Sequence, residues 1–391
     1  MLEGRGIVCF SSIDWGGLWQ GHQEIMSRLA GAGNRVLFVE HTGTRRPGLR
    51  DIPRLAERFR NSLGPRASTV PPPANVTVLS PLALPLPYSR IAVAMNKVIV
   101  GGQLRKAMAR ARISDPIAWV FLPTPLVLEL LPLVNPSVTI YHNVDDLASA
   151  SREARRIQSS EEALLRAADL VFVTSERLRQ RAAGLNRNVH LFRSGVNIER
   201  FDVAERNVSS PDGVPADIRG RKPLIGYVGG IHQWVDLDLV AAAARALPDA
   251  TFALIGPCRV DVSQLQSIPN IIMPGEKRHE DLPSYVREFD VALIPYRRTS
   301  YTDHVFPAKL NEYLAMGKPV VATSLPELAS YVREHGPVAA LADNADQFIA
   351  AITRALAEQP DSAAIAHRRA VAGASDWHTR VEEMSSLIST A

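Results

Sequence analysis

Short apolar runs alternate with longer amphipathic stretches along nearly all of this 391-residue chain, and the alternation starts twice. GIVCFSS (6–12), RVLFVEH (35–41), NVTVLSP (75–81), IAWVFLP (117–123), VTIYHNV (138–144), LVFVTS (170–175) and VHLFRSG (189–195) read as strands. QGHQEIMSRLAGAG (20–33), residues 89–112, EEALLRAA (161–168) and SERLRQRAAG (175–184) read as helices between them. A segment rich in Ser, Pro, Asp and Gly (202–222) then interrupts the pattern. PLIGYVGGI (223–231), TFALIGP (251–257), NIIMPG (270–275) and VALIPY (291–296) resume it, with helices expected at 235–247, 279–289, 345–358, 363–374 and 377–390. Buried strands alternating with helices make parallel sheets covered on both faces. The fold class is therefore α/β, with two Rossmann-like doubly wound halves joined near residue 200. Open sheets of this kind bind ligands beyond the carboxyl ends of their strands, so the expected site lies between the halves.

The balance of residues narrows the function. Hydrophobic residues are 46% and charged residues 21%, as in soluble globular proteins, and a net charge of +4 gives no argument for nucleic acid. Positive charge gathers at Arg45, Arg46, Arg50, Arg54, Arg58 and Arg60, and again at Arg105, Lys106, Arg110 and Arg112. Each cluster suits either a solvated face or a patch that meets anionic lipid head groups or a phosphorylated acceptor. Cys9 and Cys258 stand far apart, without a disulfide framework or zinc spacing, which fits a reducing cytoplasm. The first residues lack the apolar core of a signal peptide, and RIAVAMNKVIVGG (90–102) is broken by Asn96 and Lys97. The expectation is a cytoplasmic protein with at most peripheral membrane contact.

FPAKLNEYLAMGKPVVAT (306–323) carries the chemistry. Pro307 suits a first helical position, Gly317 a C-cap, and VVA a buried strand. Lys309 and Glu312, three apart, share a helix face and read either as a surface salt bridge or as ligands. A lysine in a first turn opposes the helix dipole unless an anion binds nearby. Lysine for a diphosphate and glutamate for ribose hydroxyls would bind a nucleotide diphosphate. Gly229 and Gly230, directly after a strand, let backbone approach a phosphate, or make a tight turn. Gly256 sits in a second strand-end turn. No G-x-G-x-x-G is present, which counts against a dehydrogenase. Asp236 and Asp238 form a D-x-D, but at a helix start acids serve as caps, and that reading is preferred over a metal site.

The stretch PAKLNEYLAMGKPVVAT resembles the signature helix of GT-B glycosyltransferases, above all family 4 and its bacterial polysaccharide-assembly relatives. IGYVGGIHQWVDLDLV resembles the first strand, turn and helix of their donor domain. DVALIPY is also typical, and SDWHTRVEEMSSLI resembles their last helix. The resemblance implies two Rossmann-like domains facing each other across a cleft: an acceptor domain at 1–200, a donor domain at 201–375, and a helix at 376–391 that crosses back. It implies donor contacts from Gly229, Gly230, Gly256, His304, Lys309, Leu310 and Glu312. His304 stands eight residues before Glu312, where many family members carry glutamate, and this leaves the anomeric outcome open.

The first half would supply the acceptor side. Asp145 and Asp146 follow the strand VTIY, where either could deprotonate an acceptor hydroxyl or cap the next helix. Gly16, Gly17, Trp19 and His22 belong to the first strand-end loop and to the following helix start. Asp14 and His22 are alternative bases, Trp15 and Trp19 either stack on sugar or pack, and His142 packs or orients. Ser175–Arg177, Arg193 and Ser194 are weaker donor contacts. The expected activity is a metal-independent hexosyltransferase, without a cofactor, moving a sugar from a nucleotide-diphosphate sugar to an acceptor hydroxyl. UDP, the commonest donor nucleotide, is the expected one. The acceptor would be a carbohydrate or lipid-linked, as in polysaccharide biosynthesis. Alternatives are a nucleotide-sugar epimerase of the same fold and a two-lobed binding protein without turnover.

Overall fold

The computed structural model describes residues 1–41, 71–149, 154–201, 214–358 and 361–391. These form two compact units: Met1–Phe192 together with His378–Ala391, and Arg193–Trp377. The chain passes between the units ahead of the Ser/Pro/Asp/Gly-rich segment. Of that segment, residues 202–213 lie outside the described residues, as do Arg45, Arg46, Arg50, Arg54, Arg58 and Arg60.

The first unit holds a seven-stranded parallel sheet. Its strands are β1 (Gly6–Phe10), β2 (Arg35–Val39), β3 (Val76–Leu79), β4 (Ile117–Val120), β5 (Val138–Asn143), β6 (Leu170–Val173) and β7 (Val189–Leu191), in the order β3-β2-β1-β4-β5-β6-β7. β1 and β4 are buried at every residue, as central strands with helices on both faces must be. Their register sets Phe10 beside both Val39 and Val120. The second unit holds a six-stranded parallel sheet made of β8 (Leu224–Val228), β9 (Thr251–Ile255), β10 (Ile271–Gly275), β11 (Val291–Ile294), β12 (Val320–Thr323) and β13 (Ala340–Ala342). Its order is β10-β9-β8-β11-β12-β13. Strand order reverses beside β1 and β4 in the first sheet and beside β8 and β11 in the second. Those are the switch points at which the following loops diverge.

Local chemistry explains most helix starts. Ser89, Thr124, Ser175, Asp236 and Asn344 each accept a backbone N–H of the first turn of the helix that follows them. Elements not expected from the sequence include the helices Pro125–Val134 and Pro326–His335, and β13. Both helices open on proline, and the first contains Pro132 as well. Pro125 and Pro326 occupy first-turn positions, whose N–H groups lack a helical partner in any case. The signature helix also differs from expectation. It runs Lys309–Ala315, so Pro307 precedes it and Lys309 is its first residue.

Candidate functional site

In the second unit four chain segments meet at the carboxyl end of the sheet, around the β8–β11 switch point. β8 ends in Gly229, whose φ of 141° lies where side chains are disfavoured. A Cβ there would stand 3.2 Å from Lys309 Cε and 3.4 Å from its Nζ. Gly229 N–H donates to the Ile255 carbonyl at the end of β9 (2.8 Å). Gly256, with a φ of 149°, presses against the Gly229 carbonyl so closely that a Cβ would overlap it. Gly256 is thus a packing glycine that sets the shape of the turn.

Lys309 is half-buried and does not extend into bulk water. Its ammonium donates to Tyr296 Oη (2.5 Å), lies 4.9 Å from the centre of that ring and 5.2 Å from the centre of the Tyr227 ring. Tyr227 donates to the Gly230 carbonyl (3.1 Å), and Tyr313 Oη accepts the Val228 N–H (2.9 Å). Burial, followed by the neighbouring tyrosines, pushes the Tyr227 phenol well above its ordinary value, so its hydroxyl stays neutral. Glu312 is half-buried one turn along, on the face shared with Lys309. Leu310 is fully buried in the core and acts through packing. His304 ends a short 3-10 turn, Thr302–His304, with Nδ1 2.8 Å from the Ser300 carbonyl. A carbonyl only accepts, so Nδ1 carries the proton.

In the first unit, loop and helix hold one another around the β1–β4 switch point. Trp15 is buried, edge-on to Phe38 and to Trp19, and its backbone N–H donates to Glu40 (2.8 Å). Trp15 therefore packs. Trp19 is half-buried and donates its indole N–H to Glu24 (2.7 Å). Gly16 and Gly17 lie between them, with Gly17 exposed. His22 is buried, 3.0 Å from Ser12 Oγ, with its ring tilted against Phe121 at 3.8 Å between ring centres. His142 is buried at the end of β5 and accepts the Trp119 indole N–H at Nδ1 (3.3 Å). Burial lowers both rings to about 3, and each ring is neutral at physiological pH.

The two aspartates separate. Asp146 is buried and has both carboxylate oxygens committed: Oδ1 to Arg181 (2.9 Å), Oδ2 to Ser149 (2.7 Å). Arg181 also reaches the fully buried Glu161 (2.7 Å), which accepts Tyr141 Oη–H (2.8 Å). Asp145 lies half-buried in the same turn, its carbonyl accepting the Leu147 N–H. Asp146 thus anchors the turn that follows β5, and Asp145 stands beside it.

Comparison with known proteins follows this geometry closely. Residues 222–358, from just before β8 to the helix Ala345–Ala357, match the family model for Glycosyl transferases group 1. That stretch of the second unit is similar to group 1 glycosyltransferases. A Bacillus subtilis (strain 168) protein provisionally named as the teichuronic acid biosynthesis glycosyltransferase TuaH is 32% identical over 232 residues. The match spans 57% of this chain and 57% of that relative. Among solved structures, Anabaena HepE in complex with UDP-glucose superposes with a TM-score of 0.68 at 15% identity, covering 99% of this chain and all of the other. WaaG, described as a glycosyltransferase involved in lipopolysaccharide biosynthesis, gives 0.65 at 14% identity over 99% of this chain and all of WaaG. A UDP-forming trehalose-phosphate synthase from Burkholderia vietnamiensis gives 0.64 at 17% identity, over 98% and 96% of the two chains. The fold is GT-B.

Around this turn, an aromatic rim was not expected from the sequence. His232 stacks on Trp234 (4.2 Å), and Trp234 packs against Tyr301 (5.7 Å). Arg297 N–H donates to the Trp234 carbonyl (2.7 Å), so the loops after β8 and β11 brace each other. The aromatics in HQW and in PYRRTSY were the available signal. Asp236 caps the helix Leu237–Ala246, and both acids of the D-x-D face Arg297, Asp238 at 2.8 Å. Arg193 and Ser194 are bound within the same unit, Arg193 to Glu334 (2.9 Å) and the Ser194 carbonyl to Asn311 (2.7 Å).

Proposed function

We propose that this protein transfers a sugar from a nucleotide-diphosphate sugar to an acceptor hydroxyl. The observation that carries the reading is the Lys309 ammonium, held by Tyr296 above the Gly229 turn at the β8–β11 switch point. A cation on a glycine turn beside a helix start is suited to a diphosphate, and more so as the charge grows when the sugar bond breaks. Tyr296 fixes the ammonium in place beforehand, so little reorganisation accompanies the reaction. Glu312, on the same helix face, is placed to accept from a ribose diol. His304 would present Nε2 to the sugar, because Nδ1 is occupied. Asp145 would take the acceptor proton while Asp146 and Arg181 hold its turn. Lys309 and backbone N–H groups would carry the leaving diphosphate without a metal, and chelator-insensitive turnover would test that point.

UDP is the proposed nucleotide, in line with HepE, whose structures hold UDP and UDP-glucose. The proposed acceptor is a carbohydrate or lipid-linked glycan of a cell-surface polymer, in line with the names of TuaH and WaaG. The protein would work in the cytoplasm against the inner membrane face. Among the described residues, no helix is long and apolar enough to cross a membrane. The exposed large hydrophobics there are Leu84, Leu86, Ile91, Met95, Val98 and Ile99, all in or just before the helix Arg90–Arg110. Exposed Arg90, Arg105, Lys106 and Arg110 share that helix, which supports a surface for anionic lipid. Sedimentation with phosphatidylglycerol vesicles should deplete the protein, and phosphatidylcholine vesicles should not. No depletion by either would remove the membrane contact.

The central test is incubation with UDP-, GDP- and dTDP-sugars, with and without glycan acceptors, while released nucleotide is followed. Acceptor-dependent release of UDP is expected, and Lys309→Ala should abolish it with little change in stability. Conversion of the donor alone would make the protein an epimerase. Wild-type turnover in Lys309→Ala would refute the reading.

A further inference from the structure

We propose that Asn311 is a positioning residue that couples the donor-site helix to the place where the chain passes between its two units. The proposal rests on the reading of Lys309 and Glu312 as donor ligands. At ~100° per helical residue, Asn311 points about 160° away from Lys309 and about 100° from Glu312. One side of the helix Lys309–Ala315 therefore carries the ligands, and another carries Asn311.

Asn311 is fully buried in a short helix, a position where an apolar side chain would cost less unless both ends of the amide are satisfied. They are. Nδ2 donates to the Ser194 carbonyl (2.7 Å), and Oδ1 accepts from Tyr331 Oη (3.1 Å). Tyr331 Oη also lies 3.4 Å from Ser375 Oγ. The Ser375 carbonyl accepts the Val196 N–H (3.0 Å), the Val196 carbonyl accepts the Trp377 N–H (3.0 Å), and Ile198 N–H donates to Asp376 (3.2 Å). The outward passage at Phe192–Arg193 and the return passage at Trp377–His378 are thus next to one ladder of hydrogen bonds. Arg193 adds a second tie, its guanidinium 5.4 Å from the Tyr331 ring and 6.0 Å from the ring of Phe306, three residues before Lys309.

A turn of the peptide at Ser194 would move the acceptor of Asn311 and with it the helix that bears Lys309 and Glu312. By reciprocity, a ligand that fixes the helix must steady the ladder. Purely structural hydrogen bonds would not respond to ligand.

The test is amide hydrogen exchange on the full-length protein with and without saturating UDP, followed at Val196, Ile198 and Trp377. UDP should slow those amides by at least ~5-fold in the wild type. Asn311→Asp keeps an acceptor for Tyr331 but turns a carboxylate on the Ser194 carbonyl. It should still bind UDP by calorimetry while losing the slowing. Tyr331→Phe, a milder change, should reduce it. UDP binding to wild type with unchanged exchange at the three amides overturns the coupling and leaves the donor site intact. Undiminished slowing in both variants overturns it as well. Failure of UDP, GDP and dTDP alike to bind the wild type removes the donor reading and this proposal together.

Discussion

His22 and His142 make the first unit sensitive to mild acid. Both rings are buried, 3% and 2% exposed, and both are lowered to about 3 from an ordinary 6.5. The cause is burial, aided for His22 by the neighbouring His142. The unfolded chain therefore binds these protons near pH 6.5, and the folded chain does not until about pH 3. Stability is fully present above the unfolded value and falls as pH drops below it. From pH 7 to pH 5 each ring costs about 2 kcal/mol, so the pair costs ~4 kcal/mol out of the roughly 5–15 kcal/mol that holds a typical protein together. Protonating His142 would also set Nδ1–H against the Trp119 N–H, which has no other role than to donate. The perturbation is His22→Gln with His142→Asn: a glutamine amide reaches where Nε2 faces Ser12, and an asparagine amide where Nδ1 faces Trp119. Neither titrates. Urea unfolding at the two pH values should show the double variant losing ~4 kcal/mol less than wild type over the interval, whatever its stability at pH 7. Carbon-13 NMR of labelled histidines should find both rings neutral at pH 5. A titration midpoint near 6.5 for either ring, or equal pH slopes in the two proteins, would refute the reasoning.

Other outcomes follow from contacts already described. Arg181→Met strips the cation from Asp146 and Glu161 and should cost about 3–5 kcal/mol at pH 7, read by thermal melting. The loss should shrink as pH falls toward 5, because burial already raises the Glu161 carboxyl and the variant would let it take up a proton. Gly229→Ala puts a methyl on Lys309 and a side chain at a φ of 141°, and should cost about 1–3 kcal/mol of stability. It should also weaken UDP binding in calorimetry.

Much of the architecture was legible because central parallel strands are buried on both faces and so read as unbroken apolar runs. β13, Ala-Leu-Ala, lacks the β-branched and aromatic residues that mark a strand, and the helices opening at Pro125 and Pro326 begin with the residue that usually argues against a helix. In the site, Lys309, Glu312 and Gly229 were readable, since their spacing and order relative to β8 and β12 are local facts. Tyr296, which holds the ammonium, was not, because a tyrosine at the end of an apolar strand looks like any other core residue. Nor could Asp145 be told from Asp146. That distinction depends on Arg181, which approaches only after β5, β6 and the helix Glu176–Ala183 have assembled.

The last fourteen residues belong to the unit built by the first 192, and Val381, Met384 and Ile388 among them are buried. A premature stop near codon 377 would leave the second unit complete and injure the first. Anyone wishing to produce the N-terminal unit by itself must graft this tail behind Phe192 with a linker, since cutting at the domain border would discard one of its own walls.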